Sequence, residues 1–336
     1  MNESKKYDVF GVGNALVDVL AQVDDKLVEE FELPKGSMNL MDPEKQTSVL
    51  THLESGSLNL ASGGSAANTM VAIAQSGGTG VYIGQVANDS HGEFYKKDMQ
   101  QAGIEFPVDP TADSGLPTGT SVILTTPDAE RTMCTHLGVS TSLNKSNVDF
   151  DLLSESRISY IEGYLWDAED PRAVCMETFE QSKKRGVKTA FTFSDAFLID
   201  RFAGDFGTLL DEYCDIVFCN ADEAMKFFGS ENLDECNQKL SQRVDLAFVT
   251  NGAAGCYVLQ NGSVEQVGGY KVTAVDTVGA GDAFAGGVLY GLANDMPATL
   301  AARWGNYFAS RVVAKIGPRL AGDMREEMQT VLASSS

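Results

Sequence analysis

The sequence predicts an α/β protein with a doubly wound, mainly parallel sheet, helices on both faces of that sheet, and a small β-sheet lid. Short apolar segments alternate with amphipathic ones along most of the chain, which is typical of strands joined by crossover helices. Two stretches depart from this pattern, one with period-two alternation and one with a hairpin signature, and both indicate additional strands. The chain has 336 residues, 43% of them hydrophobic, so it can bury a substantial core.

The elements of the main sheet follow in chain order, and we expect a single domain over residues 1–336. Amphipathic stretches predict helices over 65–78, 170–186 and 298–317. A last strand is predicted over 268–278, followed by a helix rich in small residues. The other candidate strands are residues 7–13, 79–87, 157–163, 187–193, 215–220 and 245–252.

The lid is predicted from two segments, about 15–42 and 105–138. Residues 16–23 alternate at period two. Residues 118–126 and 131–137 flank the turn-like sequence Pro-Asp-Ala-Glu, which predicts a β-hairpin. Because these strands lie outside the alternation of strands and helices, we expect them to form a separate small sheet.

The charge of the chain favours a small-molecule ligand over a polyanion. Its net charge is −22, from 47 acidic and 25 basic residues, which repels nucleic acid and anionic membranes. No run approaches the roughly 20 apolar residues that span a bilayer, and the first residues do not read as a signal peptide. The six cysteines lack metal-binding spacing and indicate reduced thiols. We therefore expect a soluble, cytoplasmic protein, either a monomer or a homodimer.

The sequence AVDTVGAGDAFAGG places Gly279, Ala280 and Gly281 at the predicted strand-to-helix turn. The free N–H groups at a helix N-terminus attract an anion, and small residues let it approach closely. Asp282, in the first helical turn, could accept a proton from a hydroxyl held beside that anion, which suits phosphoryl transfer to an alcohol. The alternative is an ordinary aspartate that stabilises the helix N-terminus.

A second glycine pair, Gly63 and Gly64, opens the helix that carries Asn68. Glycines let backbone amides approach a ligand, and an asparagine side chain both donates to and accepts from sugar hydroxyls. The alternative is a simple turn with Asn68 as a local cap. Asn14 and Asp18 lie four residues apart near the N-terminus. A carboxylate among apolar neighbours, as Asp18 is, needs a partner, and two vicinal hydroxyls would serve.

These motifs resemble, in order and over nearly the whole chain, those of the ribokinase or PfkB family of carbohydrate and nucleoside kinases. The matching segments are GNALVDV, SGGSAANT, ERTM, NADE, TNGAAG and DTVGAGD. The resemblance implies a ribokinase-like fold that binds ATP and a hydroxylated substrate at the carboxyl ends of the strands. It also implies Mg²⁺ as a cofactor and, in many members, a monovalent cation such as K⁺.

The same resemblance assigns roles to individual residues. It makes Asp282 the catalytic base and the backbone of Gly279, Ala280 and Gly281 the anion hole. It places Arg131 near the transferred phosphate, although a solvated hairpin arginine is the commoner fate of such a residue. The positions that hold the sugar match Asn14, Asp18, Gly64 and Asn68, next to Gly63.

The resemblance also predicts the nucleotide and metal sites. Asn220 and Glu223 match the motif that positions Mg²⁺ through water, since magnesium gives up its hydration shell reluctantly. Asp276 matches a residue near the monovalent-cation site. The remaining nucleotide-binding positions match Thr250, Gly252 and Gly255 at the phosphates and Asn306 beside the adenine.

The substrate expectation comes from the segments GNALVDV and ERTMCTHLGVS, which look more like the adenosine kinase branch than like ribokinase or the fructokinases. The expected reaction is therefore ATP-dependent phosphorylation of adenosine to AMP. A sugar kinase acting on ribose, fructose or a ketodeoxy sugar acid is one alternative, and a ligand-binding regulator without turnover is another. Candidate walls of the substrate pocket are Leu40, Met133, Cys134, Leu137, Glu162 and Trp166.

Overall fold

The computed structural model describes residues 5–53, 59–111, 115–128 and 130–333. Its strands fall into a nine-stranded main sheet and a five-stranded small sheet. In chain order the strands are β1 Tyr7–Val12, β2 Leu16–Gln22, β3 Met38–Leu40, β4 Asn59–Gly63, β5 Gly80–Ile83, β6 Ile104–Glu105, β7 Gly119–Thr125, β8 Arg131–His136, β9 Ser156–Glu162, β10 Lys188–Thr192, β11 Ile216–Asn220, β12 Leu246–Thr250, β13 Cys256–Gln260 and β14 Ser263–Val267.

The helices connect these strands and cover both sheets. Within the described residues, none of them combines the length and the apolar character needed to cross a bilayer. In chain order the helices are α1 Asp25–Glu30, α2 Pro43–Leu53, α3 Ser65–Gln75, α4 Ser90–Gln101, α5 Phe150–Ser154, α6 Glu169–Arg185, α7 Ala196–Glu212, α8 Ala221–Phe228, α9 Leu233–Ser241, α10 Ala280–Ala293, α11 Ala298–Val313 and α12 Arg325–Ala333.

The main sheet has the order β14-β13-β12-β11-β10-β9-β1-β5-β6. From β6 to β12 all neighbours are parallel, and β12, β13 and β14 form an antiparallel meander at one edge. The mainly parallel sheet is therefore confirmed. Residues 268–278, however, do not form the strand that was predicted. Because β14 already occupies the sheet edge, this segment leaves the sheet, and the N–H group of Val275 donates to the carbonyl of Val313 at 2.7 Å.

Helices pack on both faces of the main sheet because successive strand residues point to opposite sides. Val9 belongs to the apolar cluster that includes α3, α10 and α11, whereas Phe10 belongs to the cluster that includes α6 and α7. The same division separates Tyr160 from Ile161 on β9. The doubly wound architecture that the sequence predicts is thereby confirmed.

The small sheet has the order β3-β8-β7-β2-β4. The predicted hairpin is present as the antiparallel pair β7 and β8, although Ala129 of its turn lies outside the described residues. One face packs on α1 and α2 through Val28 and Val49, together with Val122 and Cys134. Cys134 therefore lies in the lid's own core and not in the predicted pocket wall. The sheet also takes in β4, which comes from neither of the two predicted lid segments.

Candidate active site

A cleft of about 420 Å³ lies between the two sheets. Its floor includes the last residues of four parallel strands, Glu162, Thr192, Asn220 and Thr250. Its opposite wall comes from the small sheet. In open α/β sheets the carboxyl edge is where ligands bind, so this cleft is the candidate active site.

The turn before α10 has an open helix N-terminus that faces the cleft. Gly279 caps the helix with φ of 77°, and its Cα is close to Pro318, where an added Cβ would lie 2.5 Å from the Pro318 Cβ. At Gly281, by contrast, an added Cβ would meet nothing within 4 Å. Gly279 and Gly281 both line the cleft. The N–H group of Ala280, which was predicted to belong to the anion hole, instead donates to the Thr277 carbonyl at 3.2 Å. The helix N-terminus at Gly279 and Gly281 fits a phosphate group.

Asp282 lies on the floor of the cleft and is held by two donors from α3. The Ser65 hydroxyl donates to Oδ1 at 2.6 Å, and the Asn68 amide donates to Oδ2 at 3.0 Å. Burial raises the pKa of Asp282 to about 6, although these two hydrogen bonds and the nearby charge of Arg319 lower it. Because its side chain bonds to another helix, Asp282 is not acting as a cap of its own helix. It is an ionised carboxylate at neutral pH with increased proton affinity.

Arg319 is a residue of this site that the sequence analysis missed. Its Nε donates to Asn68 Oδ1 at 2.7 Å and its Nη1 to the Ser62 hydroxyl at 2.6 Å. Its Nη1 also lies 3.4 Å from Asp98. The segment IGPRLAG that carries it follows α11 and matches none of the motifs found in the sequence. Ser65 was missed as well, although it directly follows Gly64.

Glu162 joins three segments at one end of the cleft. Its Oε1 accepts the backbone N–H and the side-chain amide of Asn14 at 2.7 and 3.1 Å, and its Oε2 accepts the N–H of Ala66 at 2.7 Å. Burial raises the pKa of Glu162 to about 7, and these hydrogen bonds oppose the shift. Glu162 therefore ties the end of β1 and the start of α3 to β9.

The carboxylate of Asp18 faces the cleft from β2 and accepts no hydrogen bond from the described residues. Burial raises its pKa to about 7, while the charges of Arg319 and Arg131 lower it. The two glycines before α3 make room for this corner. An added Cβ would lie 2.2 Å from Asp18 Oδ1 at Gly63 and 2.1 Å from the Asn14 carbonyl at Gly64.

Asn220, Glu223 and Thr250, the residues predicted to bind the nucleotide and its metal ion, all line the cleft. Asn220 Oδ1 accepts the N–H of Glu223 at 2.8 Å, and the Asn220 amide donates to Glu223 Oε1 at 2.9 Å. This capping box begins α8. Burial raises the pKa of Glu223 to about 7. Since both carboxylate oxygens accept hydrogen bonds from Asn220, the pair suits a hydrated Mg²⁺ better than a directly bound one.

Several predicted residues do not line the cleft, among them Gly63, Ala280, Gly252, Gly255, Asn306 and Trp166. Gly252 and Gly255 flank a short turn after β12, and Gly255 packs against the carbonyl of Val267. The Asn306 amide donates to this carbonyl at 3.0 Å, so it ties α11 to the end of β14. Trp166 is also not a pocket residue, because its ring is buried in the aromatic core and its N–H donates to Asp205 at 3.0 Å.

Arg131 and Asp276 form a buried ion pair beside the cleft. Their side chains are 4% and 2% exposed, which excludes a solvated hairpin arginine. Asp276 also accepts the N–H groups of Gly317 and Val278 at 2.6 and 3.1 Å. The pair lines a second cavity of about 490 Å³. Next to Asp276, where the resemblance predicts a monovalent cation nearby, the positive charge comes from the guanidinium of Arg131. Arg131 would have to leave this ion pair to reach a phosphate in the cleft.

Comparisons with known proteins agree with this geometry. A family model described as pfkB family carbohydrate kinase matches residues 36–323. The structure of adenosine kinase from Sinorhizobium meliloti is 35% identical with a TM-score of 0.91, covering 97% of this chain and 99% of that one. A probable sugar kinase protein from Rhizobium etli CFN 42 is 31% identical with a TM-score of 0.91, covering 97% and 98%. The 5-dehydro-2-deoxygluconokinase of Bacillus subtilis (strain 168) is 24% identical over 344 residues, covering 100% and 98%.

The match to the family model extends over most of the chain, and the two structures share the fold nearly from end to end. The resemblance found in the sequence motifs is therefore confirmed, while the named relatives divide between nucleoside and sugar substrates. The chain belongs to the PfkB family of carbohydrate kinases.

Proposed function

We propose that this kinase transfers the γ-phosphoryl group of ATP to the primary hydroxyl of a ribonucleoside, and that adenosine is its preferred acceptor. Kinases of this family use ATP and Mg²⁺ and act on small molecules. The substrate is the open question, because relatives of similar identity include an adenosine kinase and a 5-dehydro-2-deoxygluconokinase. Two features of the cleft support the nucleoside.

The charge of the cleft lining is the observation that carries the proposal. Among the described residues that line it there is no lysine, arginine or histidine. A negatively charged sugar acid would be repelled by the carboxylates there and would find no cation to pair with. The cleft therefore favours a neutral acceptor. The acidic residues of the lining are Asp18, Glu162, Asp167, Glu223 and Asp282.

The lid wall supports a nucleobase over a free sugar. Apolar side chains cover this wall, and the exposed fraction of Leu40 is 49%, so apolar surface remains open for a ligand. A free sugar presents hydroxyls all round, whereas a purine offers flat apolar faces that such a wall can cover. Methionines adapt well to flat rings. The apolar residues of the wall are Leu16, Met38, Leu40, Ile123, Met133 and Leu137, with the hydroxyls of Ser121 and Thr135 between them.

The acceptor would lie with its ribose on Asn14, Asp18 and Asn68 and its primary hydroxyl beside Asp282. A carboxylate is a weak base for an alcohol, so Asp282 takes the proton late, as the oxygen bonds to phosphorus and becomes acidic. The transfer is in line, and the N–H groups of the Gly279–Gly281 turn stabilise the negative charge of the phosphoryl group as it is transferred.

Asn220, Glu223 and Thr250 would hold the phosphates of ATP and hydrated Mg²⁺. When bound, Mg²⁺ supplies charge neutralisation for the phosphates. The acidic lining needs this cation, because ATP brings further negative charge into a cleft whose described lining has none of the opposite sign.

The experiment is a mass-spectrometric product assay with Mg-ATP against separate nucleosides, neutral sugars and ketodeoxy sugar acids. We expect AMP from adenosine, formed at least about 100-fold more slowly with Asp282→Asn. A sugar phosphate in place of a nucleoside monophosphate would overturn the nucleoside assignment and keep the kinase. Stoichiometric nucleoside binding without any product would instead favour the regulator that does not turn over.

A further inference from the structure

Arg319 reaches the proposed base Asp282 through one intervening side chain. Its Nε donates to Asn68 Oδ1 at 2.7 Å, and Asn68 Nδ2 donates to Asp282 Oδ2 at 3.0 Å. The side chain of Arg319 is 13% exposed, and it does not line the cleft. Its Nη2 is buried and has no hydrogen-bond partner in the described part of the chain.

The chemistry of the arginine decides which way the asparagine amide points. An amide can rotate by half a turn and exchange its oxygen and its NH₂ group, but a guanidinium has only donors. With Arg319 on one side, the amide oxygen of Asn68 must face the guanidinium. Its NH₂ group must then face the carboxylate of Asp282. In the reverse orientation the NH₂ group of Asn68 would face the guanidinium of Arg319, and its oxygen would face the carboxylate of Asp282, so neither hydrogen bond could form.

We propose that Arg319 is a positioning residue for the transfer reaction, which orients the amide of Asn68 so that it donates to Asp282. The inference rests on the proposed role of Asp282 as the base. It adds a residue that does not line the cleft and orients the base through Asn68.

The charges around Asp282 give Arg319 a second effect. Asp18 on β2 and Glu162 on β9 are the acidic groups coupled to Asp282, and Tyr160 and Tyr164 are the nearby phenols. Arg319 is the one cation that acts on Asp282 among the described residues, and it lowers the pKa of that carboxyl. Without Arg319, we expect Asp282 to hold its proton at higher pH, because it loses both a positive charge and a correctly oriented donor.

Arg319 is anchored independently of Asn68. Its Nη1 donates to the Ser62 hydroxyl at 2.6 Å and lies 3.4 Å from Asp98, and Ser62 in turn donates to Asp98. These contacts fix the guanidinium from the side of β4 and α4. A fixed donor can impose an orientation on Asn68, which a freely moving one could not.

The test compares Arg319→Met and Arg319→Lys with the wild type by the pH dependence of kcat/KM for the acceptor that the product assay identifies. For Arg319→Met we expect the acidic limb of the profile to move up by about one pH unit, with activity about fivefold to tenfold lower near pH 6 and largely recovered above pH 8. Arg319→Lys keeps the charge and should give a smaller shift. Arg325→Gln is the control, an exposed arginine of the same C-terminal region, and should leave the profile unchanged.

A double-mutant cycle with Asn68→Leu separates orientation from charge. If Arg319 acts through the amide, removing it should cost much less in the Asn68→Leu background than in the wild type. Equal costs in both backgrounds would overturn the positioning role. A uniform loss of activity at every pH, with the acidic limb unmoved, would do the same, provided that circular dichroism shows the variants folded.

A second readout does not depend on turnover. The carboxyl titration of Asp282 can be followed by ¹³C NMR in protein labelled at aspartate, with the Asp282→Asn spectrum to assign the signal. If the wild type phosphorylates no acceptor, the proposed function fails, but this titration still tests Arg319. An identical Asp282 pKa in the wild type and in Arg319→Met would overturn the inference.

Discussion

At the N-terminus of α3, Gly63 and Gly64 make room for atoms of the protein, whereas at the N-terminus of α10, Gly281 leaves space for a ligand, although Gly279 before it packs against Pro318. A Cβ on Gly63 or Gly64 would lie 2.2 or 2.1 Å from atoms of Asp18 and Asn14. A Cβ on Gly281 would meet nothing within 4 Å. The turn at Gly63 and Gly64 is therefore filled by the chain itself, whereas the turn before α10 is open at Gly281.

The two turns look alike in the sequence, where each is a run of small residues before a helix with a polar residue in its first turns. Their difference depends on what lies opposite them. Both turns line the cleft, but the Cβ position of Gly64 points at the chain that leaves β1 for β2, and that of Gly281 points into open space. The comparison predicts that a substitution at Gly64 changes stability and that one at Gly281 changes turnover.

The largest effect is expected at the open turn, from Asp282→Asn. The amide cannot take the proton of the acceptor hydroxyl, so kcat should fall by about 10²–10⁴-fold while ATP binding is retained. Turnover of the purified variant, with ATP affinity by calorimetry, checks this. Asp234→Asn is the matched control, because Asp234 is an exposed aspartate in the first turn of α9. Near-full turnover of Asp282→Asn would remove Asp282 from the mechanism.

The next effect is expected at the filled turn, from Gly64→Ala. Gly64 has φ of 100°, and a methyl group would overlap the Asn14 carbonyl, so unfolding should become easier by about 3 kcal/mol or more. Urea denaturation measures the change. If Gly64→Ala were as stable as the wild type, the chain around Asn14 could move to make room for the methyl group. Gly64 and Gly281 would then not differ in how tightly they are packed.

A smaller and opposite effect is expected from Gly281→Ala. The residue is helical and faces open space, so alanine should change the free energy of unfolding by no more than about 1 kcal/mol, in the stabilising direction. The methyl group would stand where the phosphate must approach, so kcat should fall. The same urea titration and turnover assay give both values. Unchanged turnover would show that the phosphate does not use this turn.

A last effect, on stability against pH, is expected at Asp18, which lies against Gly63 and interacts with the charge of Asp282. Its pKa in the folded protein is raised from 3.8 to about 7, so the ionised form destabilises the fold. This cost is absent below pH 4 and grows as the pH rises through 7. Asp18→Asn should therefore raise Tm at pH 8 but not at pH 4, and raise KM for the acceptor. Asp24→Asn, an exposed residue just after β2, should do neither. Equal Tm gains at both pH values would refute the buried-carboxylate explanation.

The sequence predicts those parts of the site whose residues are neighbours along the chain. Gly279 to Asp282 form one turn, and their spacing alone places an open helix N-terminus beside a carboxylate. Arg319 and Ser65 reach Asp282 only through the tertiary fold, and no local pattern marks either of them. The pairing of Arg131 with Asp276 is a contact of the same kind, since each residue matches a motif but nothing in the sequence brings the two together.

The hairpin shows what a local sequence pattern cannot predict. Its strands and turn are predicted correctly, but period-two alternation does not say which face meets the cleft. Met133 and Thr135 line the cleft, while Cys134 between them packs under α1 and α2. The missing strand over 268–278 has a related cause, because its pattern suits a strand but the sheet edge is already taken by β14.

All six cysteines of the chain are buried, and none presents a thiol to solvent. Thiol reagents need access, so the native protein should react slowly with them. A cysteine introduced at Leu40, on the exposed edge strand of the lid at the mouth of the cleft, would then be the single fast-reacting thiol. A fluorophore attached there would turn the arrival of an acceptor into an optical signal, without any need to remove native cysteines first.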